Sequence, residues 1–262
     1  MVNTTIGRTV GLGALAGAVA GGAGAAAMYW LVEPSIRAAI AIEEAGTAAA
    51  EAAGHEHMAD ELVSRGQQVA FGLLTAVIVG TLIGVAFALT HRFLRGRIPG
   101  NSAASSSMAL AGLGFLAFTL APAIVIPANP PAVGDPATVE VRTLTYIGTI
   151  VCAVALTSAV VAVSRADRLP ARQRLVTATG LAIVSVALLK LGIPDVSDSI
   201  APTVPAGLIW DFRLGSLAQI GLMWLVLGAA FGWLVSREEE RRLADSSEVR
   251  GATLAVSTSQ GR

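Results

Sequence analysis

His55 and His57, with Glu56 between them and Glu43 and Glu44 upstream, are the side chains of this 262-residue protein best suited to capturing a metal ion. Imidazole together with carboxylate suits first-row divalent metals such as cobalt, nickel or zinc, whereas an all-oxygen set suits magnesium or calcium. At spacing i, i+2 the two imidazoles do not share a helix face, so joint coordination requires a looped or extended backbone, which Gly54 permits. Seven acids stand against two arginines over residues 32–68. A solvated acidic loop with two ordinary histidines is therefore the competing reading, because no third and fourth fixed ligand is evident in the pattern.

A second group of oxygen donors lies in Pro127–Pro136, where four prolines forbid a continuous helix and Asn129 and Asp135 supply side-chain oxygens beside free carbonyls. Pro122, just upstream, is placed to kink the third apolar run. Broken backbone at membrane depth is tolerated where it is buried in protein or lines a cavity, and transporters place cation sites at such breaks. A stiff linker is the equal alternative. Arg142 and Arg213 lie close to apolar runs, where a charge calls for a partner such as Asp135, Asp211 or Glu33, or else snorkels to the interface; Lys190 is read as snorkelling. Catalysis finds no support, since His55-Glu56-His57 is not the H-E-x-x-H zinc pattern and His91 sits among arginines. Lys190 is the only lysine and is followed by Leu191, which excludes a phosphate-binding loop. Cys152, the single cysteine, provides no disulfide framework.

These residues need elements to hold them, and composition says which kind. With 54% hydrophobic and 14% charged residues and a mean hydropathy of +0.68, the chain is a polytopic all-α membrane protein. Six apolar runs approach the roughly 20 residues that a bilayer demands: Thr9–Leu31, Val69–Thr90, Ser107–Ile126, Thr143–Val163, Leu175–Leu191 and Gly215–Val235. The arginine-rich connections alternate with acidic ones. Arg8, then Arg92, Arg95 and Arg97, then the 165–174 and 237–242 clusters mark one side, so both termini are expected in the cytoplasm and the histidine and proline stretches outside. Arg8 before an apolar run ending in Ala25–Ala27 also fits a cleavable leader, but the run is long enough to span and Tyr29 and Trp30 suit an interface, so it is read as retained.

In the first run Gly13, Gly17 and Gly21 form a small-residue face that packs either against another helix of this chain or against a partner. Ala-rich residues 34–53 are expected to form an interfacial or capping helix, and residues 1–236 one membrane domain. Residues 237–262 are expected to be a cytoplasmic tail, helical at first and disordered from Asp245.

Glu33-Pro34, the segment Ile40–Ala45, Val63–Gln67, Pro127–Pro136 with Arg142-Thr143, and Trp210–Leu214 together resemble the CbtA family of cobalt transporter subunits. The resemblance spans the chain, the proline stretch being its most specific part; Ile126 departs from it, where the family pattern has an aromatic residue. It implies cobalt(II) import for cobalamin synthesis through the bacterial inner membrane, with cobalt as cargo rather than a resident cofactor. It also implies a CbtB-like, histidine-rich single-span partner. Apart from the resemblance, the lipid bilayer is the expected surrounding, a second copy is an open alternative, and no nucleic acid is expected. The residue pattern itself nominates His55, His57, Glu43, Glu44 and Glu56 for capture, Asn129 and Asp135 for an inner station, and Arg142, Asp211 and Arg213 as structural counter-ions. The competing reading from a different class is a non-transporting membrane scaffold that binds a partner through the glycine-rich first helix.

Overall fold

Pro34 and Pro122 create the same irregularity in two different helices. In the computed structural model, which describes residues 5–52, 64–131, 133–134, 136–194, 196 and 200–260, helix α1 (Ile6–Ala27) runs through a π-helical turn, Met28–Val32, straight into α2 (Glu33–Ala52). Helix α4 (Ala103–Phe115) runs likewise through a π turn, Leu116–Leu120, into the short α5 (Ala121–Val125). In each case the residue before the proline donates its N–H five residues back, Glu33 to Met28 and Ala121 to Leu116. Proline has no N–H, and its ring clashes with the carbonyl four residues earlier, here Trp30 and Phe118; widening the preceding turn relieves that clash without breaking the helix. The helix expected from Pro34 is thus present as far as Ala52, but it continues the first span instead of standing apart from it.

The other helices are α3 (Arg65–Phe93), α6 (Val139–Ser164, entered through the 3-10 turn Pro136–Thr138), α7 (Ala171–Gly192) and α8 (Ala206–Gln260). Among the described residues six helical stretches are long and apolar enough to cross a membrane, and no strand occurs. Residues 126–134 leave the helical state, as four prolines require. Helix α8 passes Asp245, where disorder was expected, and reaches Gln260; the arginine, glutamate, leucine and alanine of residues 237–244 are all good helix formers. The first turn of α3 is capped by Gln67, whose Oε1 accepts from the Ser64 N–H at 3.0 Å.

Lipid provides no hydrophobic drive between helices, so close approach comes from small residues. Gly13, Gly17 and Gly21 of α1 lie against Gly80 and Gly84 of α3. A Cβ at Gly17 would collide with the Gly80 carbonyl and come within 2.8 Å of the Gly84 Cα, and one at Gly80 would come within 2.5 Å of the Gly21 Cα. The glycine face is therefore filled from within the chain. Helix α8 packs on α4 in the same manner: the Ser107 hydroxyl donates to the Gly228 carbonyl at 2.9 Å, and a Cβ on Gly228 would meet that of Ala111 at 2.7 Å. Phe87, Leu227 and Phe231 join Ala16, Ala20 and Ala111 in one core cluster of α1, α3, α4 and α8; Ala117, Val125, Ala153 and Leu189 form a second, of the π turn, α5, α6 and α7. The α4–α5 segment belongs to both. Trp30 and Trp210 are exposed at one end of the bundle and Trp233 at the other, as in interfacial aromatic belts.

Candidate cation-handling site

Glu33 anchors one end of the bundle. It is 5% exposed, and its carboxylate accepts from Arg37 Nε at 2.9 Å, one turn along α2, and from Arg65 Nη2 at 2.7 Å, at the start of α3. Two guanidinium groups thus tie the α1–α2 junction to α3, and Glu33 is engaged by them and not by Arg142 or Arg213.

At the same end Arg213 of α8 holds the proline stretch. Its Nε donates to the Ala128 carbonyl at 3.0 Å and its Nη2 to Asn129 Oδ1 at 2.9 Å. A charged donor gives such bonds about twice the strength of neutral ones, and the guanidinium fork fixes the orientation of both acceptors. The partner of Arg213 is a pair of neutral oxygens where a carboxylate was expected. Asp211 is exposed and makes no ion pair among the described residues; two residues apart on a helix, it and Arg213 do not face each other. Lys190 reaches the Ile124 carbonyl at 3.5 Å, at the C-terminus of α5 where a cation is favoured by the helix dipole. Arg142 is half-buried in the first turn of α6. Glu43 and Glu44 are exposed on α2. His55, Glu56, His57 and Asp135 lie outside the described residues. Among the described residues no group of three or more His, Cys, Asp or Glu side chains converges.

Beneath the Arg213-anchored loop opens a cavity of about 290 Å³, bounded by Pro127, Ala128, Trp210 and Arg213 toward the loop and by Thr119 and Tyr146 farther in. A larger one, about 530 Å³, continues from Thr119 and Tyr146 past Gln219 and Trp224 to Phe87 and Thr90. The two share Phe118, Thr119, Tyr146 and Ile220, so they form one groove along α8. The second π turn lines the junction. Pro122 has no N–H to give the Phe118 carbonyl, and the Tyr146 hydroxyl donates to that carbonyl at 3.4 Å. Thr119 Oγ1 accepts from Trp224 Nε1 at 3.2 Å. Gln219 has no hydrogen-bond partner among the described residues. The groove is mainly apolar, its polar groups being hydroxyls, a carbonyl and an amide, with Arg213 near the loop.

The far end of the bundle mirrors the Glu33 clamp. Glu238 of α8, 5% exposed, accepts from Arg242 Nε at 2.6 Å, one turn on, and from Arg8 of α1. Arg165 donates to the Ile98 and Gly96 carbonyls at 2.7 and 3.1 Å, joining the α6 end to the α3–α4 connection. His91 is buried, its Nε2 2.9 Å from Ser106 Oγ and its ring edge-on to Phe231.

A family model described as "probable cobalt transporter subunit (CbtA)" matches residues 6–236, most of the chain, and reaches into all six candidate spans. The chain belongs to the CbtA family. No curated protein and no solved structure matches it. This CbtA member is accordingly a multi-pass protein of the bacterial inner membrane and a probable cobalt transporter subunit. Sequence reasoning singled out Arg213 and Asn129 of the groove's mouth but passed over Thr119, Tyr146 and Gln219. Gln219, an uncharged amide interrupting an apolar run, was the one signal that could have pointed there.

Proposed function

We propose that this chain is the membrane-spanning permease subunit of a cobalt(II) uptake system, with the Glu33 end outside and both termini in the cytoplasm. The observation that carries the reading is the groove, which begins under the proline stretch and follows α8 inward as far as Phe87 and Thr90, in a chain of this family. The alternation of arginine-rich and acidic connections supports the orientation. The acidic connection of residues 32–68, including Glu43 and Glu44, would concentrate cations before entry, an effect that weakens with salt. Within that connection His55 and His57, with Glu56, supply the donor types that prefer cobalt to magnesium. Arg213 holds the Asn129 oxygen at the mouth, and Asp135 belongs to the same proline stretch of the sequence. A histidine-rich single-span subunit, implied by the family resemblance, would deliver the ion.

Radioactive cobalt uptake at low external concentration, in cells with and without this chain and the single-span subunit, tests the function. Higher uptake with both is expected; equal uptake overturns the reading.

A further inference from the structure

Lys190, the only lysine of the chain, stands near the C-terminus of α7, at the end of the bundle that carries Glu33 and Arg213. Its side chain is exposed. Among the described residues its one polar contact is the Ile124 carbonyl at 3.5 Å, the outer limit of a hydrogen bond. An ammonium has three donors, so most of its capacity faces outward unmatched.

Ile124 and Leu189, next to that ammonium, form one end of a slot of about 250 Å³ between the α4–α5 segment, α6 and α7. The slot shares no lining residue with the groove along α8. Leu116, Ile124 and Val186 in its walls are exposed, so it opens sideways onto the surface that meets lipid, over a buried floor of Ala153 and Leu189. Apart from Thr157 and Ser185 the lining is aliphatic, and the Ser185 hydroxyl already donates to the Leu181 carbonyl of its own helix at 2.7 Å. An ion or a peptide backbone would lose its hydrogen bonds there, whereas a hydrocarbon chain has none to lose. The length is equally informative. From Leu113 to Ile124 the slot follows residues 113–124 of the α4–α5 segment, about 16 Å at 1.5 Å per residue, against a half-thickness of about 15 Å for a hydrocarbon core. A helix of another chain would cross the whole core; the slot has the depth of one leaflet.

We propose that this slot is a phospholipid site: one acyl chain from the leaflet at that end lies in it, and the anionic headgroup of the same lipid pairs with Lys190. The site rests on membrane embedding alone and stands whether or not the chain moves cobalt. Hydrocarbon gains little in the slot over hydrocarbon in the bilayer, so the acyl chain fixes the lipid's position. The ammonium supplies the preference, since a phosphodiester bearing net charge accepts from it without competition from a headgroup amine.

The test is native mass spectrometry of the full chain in detergent, titrated with phosphatidylglycerol or with phosphatidylcholine of the same acyl chains. One phosphatidylglycerol per chain is expected to be retained several-fold better than phosphatidylcholine. Lys190→Gln is expected to erase that preference and Lys190→Arg to keep it; Val186→Trp, which fills the slot from its exposed edge, is expected to lose both lipids. Thermal unfolding gives a second readout, because a ligand of the folded state raises Tm. Phosphatidylglycerol is expected to raise the Tm of the wild type and not that of Lys190→Gln. Equal retention of the two lipids by the wild type, a preference that survives Lys190→Gln, or retention untouched by Val186→Trp each overturns the site. So does a dimer that Val186→Trp dissociates, which would give the slot to a second copy.

Discussion

Glu33 holds two guanidinium groups from separate helices, and what it contributes follows from how each is exposed. Arg37 is 60% exposed and Arg65 35%, so solvent screens both pairs, while the carboxylate itself is buried and has no other described partner. Glu33→Gln keeps the shape, removes the charge and leaves Arg65 facing a neutral amide. We expect a loss of about 1–2 kcal/mol, between the values for exposed pairs and for charged hydrogen bonds. Thermal unfolding in detergent reads this as a lowered Tm, and an unchanged Tm would show the clamp to be ornamental to stability. From sequence, Glu33 is offered to Arg142 or Arg213, and this clamp is not drawn. The spacing Glu33 to Arg37 is legible as an i, i+4 pair, but Arg65 lies beyond a long connection whose path no local pattern reveals. Arg213 was legible as a charge in need of a partner. That the partner would be the Ala128 carbonyl and the Asn129 amide was not, because any oxygen within reach satisfies a guanidinium and reach is a property of the fold.

At the scale of elements, the α1–α3 contact and the second π turn make opposite demands. The contact is rigid: a Cβ at Gly17 meets backbone of Gly80 and Gly84, which has no rotamer to yield, whereas a Cβ at Gly22, on the same helix, meets nothing within 4 Å. Gly17→Ala is expected to destabilise by about 1–3 kcal/mol as overpacking does, and Gly22→Ala to leave stability unchanged or slightly raised; paired melting curves of the two variants check it. The periodic glycines were legible in sequence, but their partner helix was not, and the scaffold reading depended on that gap. The π turn is by contrast a place where the helix gives way. Pro122→Ala restores an N–H to the Phe118 carbonyl, a gain of about 1 kcal/mol, against a similar loss from the vacated ring volume, since Pro122 is fully buried. Stability should therefore hold while cobalt uptake falls several-fold, because the groove junction loses its shape. Melting and uptake measured on one preparation separate the two effects, and undiminished uptake would reduce the π turn to a packing detail. Sequence showed Pro122 as a kink; a widened turn leaves no mark in an apolar run.

Taken whole, the molecule is held along α8. This helix meets α1 and α4 in the first core cluster, receives the groove along its length, and carries the Glu238 clamp to Arg8. The six spans and their arginine alternation were readable because length and charge are local quantities. Which helix packs on which was not, since helices in lipid carry no amphipathic stripe to orient them. The same architecture bears on energy. Nothing in the chain resembles a nucleotide-binding loop, and Lys190 lies in α7 followed by Leu191. Under the transport reading proposed above, the membrane potential remains as a driving force for inward movement of a cation. For a doubly charged ion it amounts to about 4.6 kcal/mol per 100 mV, or roughly three decades in accumulation ratio. Collapsing the potential with valinomycin and potassium, in right-side-out vesicles carrying this chain and the single-span subunit proposed above, is expected to abolish accumulation of radioactive cobalt while leaving slow equilibration intact. Accumulation that survives the collapse would place the energy source in another subunit.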